Sequence, residues 1–546
     1  MTLPDHPRGF SSLPTELKTK IFAFMRSLPD RKAVSLVNHQ CRAIIAPALF
    51  ETFMTDLQPT TTKTLDALLH PDSWILPQIR HLHLYVGESL SQTNEKAPEA
   101  LKLLLSTLPK DQLLAYWSNT RLDSITLGMM LQNHTKMKCL VTTLVYGKGN
   151  GSFDITQAAW LQCRLRELEG LALWVDDVPA SYATFRFFLN NAPKLEYLDI
   201  QPDFKGCLDF QALLSGPESP PRLSTIRRLD LWKVDFSKAP AALAEHLDVL
   251  KLNTLALSGC RGVAPFLRCL AARFSASEGR GSSPALTTLE LNVSSAFAKD
   301  AMPAIEALLQ SFRGLEWLWI ANLGLLLPDK KCFAQHKQSL RYLGVESGNL
   351  WNMSYYSSVD MKYILASCKR LETLAIQLPP IQLGHLHGLG DEFRLRSPTS
   401  AYVKTEIETI FEIIASHPKL RALRLLEMPA IDYTGYAQNG PDSAVPIKPI
   451  TEAAIPLVRA TMQHFASEVM QYLSSHGSHL KILIVGNYVV PQHLQSVCRD
   501  LDGQIWPWYK YIRGRTTDLQ GGERIVAVPA PDAESELPDR MAYFQW

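Results

Sequence analysis

The sequence predicts an α/β fold: a three-helix module at the N-terminus, then an irregular solenoid in which a curved parallel sheet is backed by outer helices. Three observations predict it. A short phrase of apolar–x–x–apolar–x–apolar type recurs along most of the chain. Amphipathic helical segments stand at a constant offset before many of its copies. The stretch from Phe10 to Phe50, in contrast, carries three short helical patterns and none of the phrases.

The N-terminal stretch opens at Leu13-Pro14, where a proline at a helix entry sacrifices only an N–H that would be unpaired anyway. Leu17, Ile21, Phe22 and Met25 follow at helical spacing and make one apolar face. Leu28-Pro29 reads as a break, with Asp30 as the N-cap of a second helix carrying Ala33, Val34, Leu36 and Val37. A third helix runs from about Gln40 through Ile44 and Ile45 to Pro47, with Leu49 and Phe50 after it. So few residues cannot bury this much apolar surface among themselves, so the module needs a partner.

The phrase then appears as IRHLHL from Ile79, LDSITL from Leu122, VTTLVY from Val141, LEGLAL from Leu168 and LEYLDI from Leu195. It returns as IRRLDL from Ile226, LNTLAL from Leu252, LTTLEL from Leu286, LEWLWI from Leu315 and LRYLGV from Leu340. The last copies are LETLAI from Leu371, LRALRL from Leu420 and LKILIV from Leu480. Each reads as a short strand with alternate side chains turned inward. Phe188, Leu308, Ile364, Ile413 and Leu473 stand at one fixed offset before a following phrase, on amphipathic segments. A repeated strand-plus-helix unit cannot bury its own apolar face, and stacking closes a continuous core. A doubly wound sheet would not need one phrase repeated so often.

Two resemblances follow from these residues. LPTE at Leu13, the Ile21-Phe22 pair, Leu28-Pro29-Asp30 and SLVNHQCRAI from Ser35 to Ile44 resemble the F-box, the adaptor-binding module of cullin-based ubiquitin ligases; Gln40-Cys41 departs from the basic–aromatic pair often found there. The phrases and their spacing resemble leucine-rich repeats, in the irregular form that often follows an F-box in fungal proteins. LNTLALSGC, Leu252 to Cys260, is the clearest copy and resembles the cysteine-containing subtype. Most other copies lack the Asn or Cys expected after the strand, so a degenerate solenoid is expected. The domain reading is F-box over 1–55, repeats over 56–490 with insertions near 379–400 and 428–451, and a C-terminal cap with a mobile acidic tail over 491–546. WPWYKYIRGR from Trp506, with RIVAVP from Arg524, reads as the cap.

Together the resemblances imply the substrate-recognition subunit of an SCF-type ubiquitin ligase. The F-box would dock a Skp-family adaptor, and through it a cullin-RING assembly, by Leu13, Pro14, Leu17, Ile21, Leu36 and Val37. The repeats would hold a protein substrate. In the phrase the residues between the apolar ones face outward, which puts Trp317, Trp319, Arg341 and Tyr342 forward as substrate-binding residues, since interfaces favour Trp, Tyr and Arg. The alternatives are a non-degradative scaffold, or a nucleic-acid binder using the aromatic-basic segment at Trp506 with Lys510, Arg513 and Arg515.

Composition agrees with this class. The net charge of +2 over 546 residues is no electrostatic footprint for nucleic acid or an anionic membrane. Nine cysteines, scattered and without a CxxC pair, fit reduced thiols and a cytoplasmic or nuclear protein. There is no P-loop, HExxH or GxSxG. GKGNGS at Gly147 reads as a turn, and His385, His387 and Asp391 as a solvated loop. No catalytic residue, cofactor, metal site or membrane partner is expected.

Overall fold

The structure is a computed structural model that describes residues 10, 13–25, 28–56, 66, 68–70, 73–85, 97–122, 124–144, 164–175, 179–202, 206–215, 223–238, 246–278, 283–293, 295–321, 326–347, 354–379, 381–385, 405–426, 430–432, 455–486, 509–517 and 520–530. Met1–Asp248 and Val249–Trp546 are two compact units.

The first unit begins with helices α1 (Thr15–Ala23), α2 (Leu28–Val37) and α3 (His39–Phe50). Phe22, Cys41 and Ile45 form their core, with Met25, Val34, Ile44 and Ala48 against it. Arg31 ties the bundle together, donating to the carbonyls of Met25 and Ala48 at 2.9 Å each. Asn38 caps α3 by accepting from the Cys41 N–H at 2.7 Å. α1 ends at Ala23 and α2 opens on Leu28-Pro29, where a proline in the first turn loses no intrahelical bond, so Asp30 stands inside that turn and not at the N-cap expected of it.

Only Glu51 separates α3 from strand β1 (Thr52–Asp56). There follow β2 (His81–Tyr85), α4 (Ala97–Thr107), β3 (Ala115–Leu122), α5 (Ser124–Asn133), β4 (Cys139–Leu144), β5 (Gly170–Val175), α6 (Pro179–Asn191), β6 (Tyr197–Pro202), β7 (Leu208–Asp209), α7 (Phe210–Leu214), β8 (Arg228–Trp232) and β9 (Val234–Asp235). β1, β2, β3, β4, β5, β6 and β8 pair in that order, all parallel. β7 and β9 pair apart from them. In register, Leu82, Tyr116, Leu140, Leu171, Leu198 and Leu229 form one row, each at most 1% exposed. Each such side chain contributes about 1.5–3 kcal/mol of transfer free energy, available only when neighbours stack.

The second unit repeats the scheme: β10 (Thr254–Ser258), α8 (Val263–Glu278), β11 (Thr288–Asn292), α9 (Ser295–Gln310), β12 (Trp317–Ala321), α10 (Lys330–Ala334), β13 (Tyr342–Val345), α11 (Ser358–Ser367), β14 (Thr373–Ile376), β15 (Gln382–His385), α12 (Glu406–Ala415), β16 (Ala422–Leu425), β17 (Ala430–Asp432), α13 (Ile455–Ser475) and β18 (Ile482–Val485). β10 to β14, β16 and β18 form a parallel ladder. The core row is Leu255, Leu289, Leu318, Leu343, Leu374, Leu423 and Leu483. α12 starts with a capping box, in which Thr405 and Glu408 satisfy each other's backbone N–H. An antiparallel hairpin, β19 (Tyr509–Thr517) and β20 (Glu523–Pro529), lies against β18. It continues the core row with Tyr511, opposite Leu483 and buried.

In each unit the parallel strands and their intervening helices form a stack of leucine-rich-repeat type. One phrase is not a strand. LDSITL ends β3 at Leu122 and then enters α5, while the strand itself occupies the preceding AYWSNTR. Phe188, Leu308, Ile364 and Leu473 are buried on their helices as the offset predicts; on α12, Ile410 and Ile414 take that place and Ile413 is half-buried. β15 and β17 belong to the two expected insertions and pair with each other, Gln382 opposite Ala430 and His385 opposite Asp432. The rest of those insertions, GKGNGS, His387, Asp391, Trp506, Trp508 and the acidic tail beyond Ala530 lie outside the described residues.

Candidate functional site

On the helical module the core and the surface divide cleanly. Phe22 is buried, one residue from an exposed Ile21. Leu17, Ile21 and Phe24 fall at i, i+4 and i+7 from Leu17 and all three are exposed, Phe24 to 86%. Leu36 and Val37, at the end of α2, are 75% and 68% exposed. Leu13 is half-buried and Pro14 exposed. Of the residues put forward for adaptor docking, Pro14, Leu17, Ile21, Leu36 and Val37 are therefore at the surface and Leu13 is half-buried, and among the described residues the module's core is built without Leu17, Ile21, Leu36 and Val37. Isolated apolar residues at a surface are ordinary; here several stand on one short helix and at the end of the next.

The substrate-binding residues proposed from the sequence lie elsewhere than expected. Trp317 and Trp319 on β12 and Tyr342 on β13 do project from the sheet face opposite the core row, but all three are buried. They form a second apolar cluster with Ala321, Ala375, Ala422, Leu426, Ile482 and Ile484, and Ile512 and Ala530 of the C-terminal hairpin add to it. Trp317 and Tyr342 stack with ring centroids 3.6 Å apart and 3° between planes. Trp319 lies over Gly344, where an added Cβ would sit 2.1 Å from its ring. The expectation of a solvent-facing aromatic patch is corrected on this point: adjacent strands stack the rings on each other, and they serve as core. Arg341 is at the surface and is held by Glu372 in a two-pronged ion pair, at 2.8 and 3.0 Å. Nearby on the same outward positions, Arg424 is buried in the apolar face, and in the first unit Arg227 faces Glu196 at 3.5 Å.

In the described part of the aromatic-basic segment, from Tyr509 onward, the tyrosines turn inward. Tyr509 and Tyr511 are buried, so neither offers a stacking platform for a base. Arg513 donates to the Ser478 carbonyl at 2.9 Å and to the Ser474 hydroxyl at 2.6 Å, and Arg515 pairs with Glu523 at 2.8 Å. Among the described residues no group of three or more His, Cys, Asp and Glu is placed to hold a metal. No helix among them is long and apolar enough to cross a membrane.

Sequence reasoning passed over Asp199 and Asp230. They stand opposite each other on β6 and β8 and are almost completely buried. The signal was present: LEYLDI and IRRLDL put an aspartate at the same outward position of two consecutive phrases.

No family model matches the chain. Over 145 residues it is 33% identical to Nephrocan of Mus musculus, a match that covers 25% of this chain and 24% of that protein. The chain thus spans about a quarter of the length of this relative. Its structure is similar to the crystal structure of the Rad7 and Elc1 complex in yeast, with a TM-score of 0.36 and 12% identity, over 78% of this chain and 91% of that one.

Proposed function

We propose that this chain is the substrate-recognition subunit of an SCF-type ubiquitin ligase, in which the helical module is an F-box that docks a Skp-family adaptor and the repeats hold a protein substrate. The observation that carries this reading is the exposed apolar set Leu17, Ile21, Leu36 and Val37 on a module whose own core is already closed by Phe22, Cys41 and Ile45. A face left over after a core is complete is what a docking helix bundle presents. The catalytic work then happens elsewhere. The receptor raises the local concentration of substrate lysines near the ubiquitin-loaded conjugating enzyme, which is catalysis by proximity.

The test is co-purification of the full chain with a Skp-family adaptor, beside Leu36→Asp with Val37→Asp. Both positions are exposed, so the variant keeps its fold, and it should lose adaptor binding by on the order of a hundredfold, as hot-spot anchors do. Equal binding by the two proteins would sink the assignment. Cullin co-purification and the half-life of captured proteins separate a degradative receptor from a scaffold.

A further inference from the structure

Most repeats place one charged residue just before the strand, at the rim where helix hands over to sheet, and the backbone ladder joins these residues into a row. In the first unit the row runs Lys138, Glu169, Glu196 and Arg227, with N–H to carbonyl bonds of 2.7, 2.8 and 2.7 Å from each to the next. Its charges cancel in pairs. Lys138 meets Glu169 at 2.9 Å, and Arg227 meets Glu196 at 3.5 Å. Two positions earlier on the same two strands' approaches, Glu167 meets Lys194 at 2.7 Å.

In the second unit the same row reads Glu316, Arg341, Glu372, Arg421, Lys481 and Arg513, joined throughout by bonds of 2.8 Å. Arg341 engages both oxygens of Glu372, and after that pair the row is wholly basic. Arg421 and Lys481 are exposed. Arg513, on β19, is half-buried, and its guanidinium is fixed by the Ser478 carbonyl and the Ser474 hydroxyl. Arg370 and Lys419, two positions before Glu372 and Arg421, add two more exposed cations. Neighbouring strands lie about 4.8 Å apart, so the last three cations of the row stand within about 10 Å. Like charges on facing strand positions destabilise a sheet. The first unit shows that this row can be balanced residue by residue, whereas the second carries three cations in succession.

We infer that the row from Arg421 to Arg513 is the docking site of an acidic segment of a partner polypeptide. The inference rests on the reading of the repeats as a protein-binding surface and names the chemistry of what they bind; it does not depend on the helical module. Clustered basic side chains recognise acidic peptide motifs, arginine through its fork and lysine as a point charge on a flexible stem. The width of the patch sets the length of the segment. From Arg370 to Arg513 is three strand spacings, which an extended chain at about 3.3 Å per residue crosses in four or five residues. Carboxylates fit this surface better than the phosphates of a nucleic acid. Single strands are held on exposed aromatic platforms, and the aromatic residues beside the row, Trp317, Tyr342 and Tyr511, are all buried. The chain's net charge of +2 supplies no wider basic field.

The experiment uses the full chain and two fluorescent peptides that differ only in a central run of five glutamates or five glutamines. An exposed charge pair is worth about two- to threefold in affinity, so wild type should bind the glutamate peptide roughly tenfold more tightly in about 50 mM salt. Arg421→Gln with Lys481→Gln should reduce that preference to about twofold. Both positions are exposed, and the variant should melt at the wild-type temperature or higher, since it relieves like-charge repulsion. Lys138→Gln with Arg227→Gln removes the balanced cations of the first unit's row and should leave the tenfold preference intact. A wild-type ratio near one, a preference that survives Arg421→Gln with Lys481→Gln, or one lost equally in Lys138→Gln with Arg227→Gln overturns the inference. Tighter binding of hexathymidylate, with its five phosphates, would overturn it in favour of a nucleic acid. A preference that appears only after Asp532, Glu534, Glu536 and Asp539 are changed to their amides would overturn it in favour of the chain's own C-terminal segment. Adaptor co-purification is a separate readout, so failure of the helical module's assignment is not confused with failure here.

Discussion

Gly344 shows how much one missing side chain decides. Trp319 on the neighbouring strand occupies the space where a Cβ at 344 would be, 2.1 Å from Cε3 and 2.5 Å from Cζ3. The obstacle is a buried indole packed in a cluster, not the free end of a flexible chain, so it cannot step aside cheaply. Gly344→Ala should destabilise the second unit by about 1–3 kcal/mol, the usual cost of overpacking, as read from a shift in the urea midpoint with unchanged slope. A neutral effect would mean that Trp319 has room to turn. Asp199 is a different case, a carboxyl buried beside that of Asp230 on the neighbouring strand. Its carboxyl titrates near 7 in the folded chain and lower when unfolded, so between those values the native state binds more protons. Its contribution to stability is present at low pH and lost as pH rises toward 7. Asp199→Asn should flatten that fall in a series of melts between about pH 5 and pH 8.

At the level of elements, β12 and β13 behave as a sandwiched pair, not as half-exposed strands. Every residue of Trp317–Ala321 and of Tyr342–Val345 is buried. Trp317→Ala should therefore cost about 3–5 kcal/mol, as truncating a buried aromatic does, and a calorimetric scan would show it. A variant that melts like wild type would return Trp317 to the surface. The position of these strands was legible from LxxLxL, because alternation tells which side chains share a face. It does not tell whether the second face meets water. WLWIA is apolar on both faces, which is itself a mark of a strand covered on both sides, and that signal outweighed the usual association of Trp with interfaces. LDSITL misled for a related reason: Leu122 closes one element and Ser124 opens the next, so the phrase spans a boundary. The exposed set at Leu17, Ile21, Leu36 and Val37 was legible because helical spacing overfilled a small module. The aspartate pair was not, since an outward aspartate gains its meaning only from the strand beside it.

Across the molecule, buried neutral histidines recur where a helix hands over to the next strand, in both units. Nδ1 of His134 faces the Leu113 N–H and Nδ1 of His336 the Leu315 N–H, each at 3.4 Å, and Nε2 of His417 contacts the Cys368 carbonyl at 3.2 Å. Burial lowers all three, His336 to about 4. Each binds a proton more readily unfolded than folded, so the stability they support is complete above about 6.5 and lost as pH falls below it, for His336 toward 4. His336→Asn, whose amide oxygen can still accept from Leu315, should retain stability better than wild type between about pH 6 and pH 4.5 in urea melts. Parallel pH curves for the two proteins would show that His336 is not a source of the acid loss.

The junction of α3 and β1 has one more implication. Glu51 is the whole connection, and its carbonyl is held by the N–H groups of Arg80 and His81 at 2.8 and 2.9 Å, inside the ladder itself. There is no slack between the helical module and the first strand. Whatever grips the module therefore grips a handle and not a leash: the reach and bearing of the first repeats are set by peptide geometry, and the entropy of a tether does not enter. Lengthening this joint with a few glycines would leave both surfaces intact and still change what one can deliver to the other.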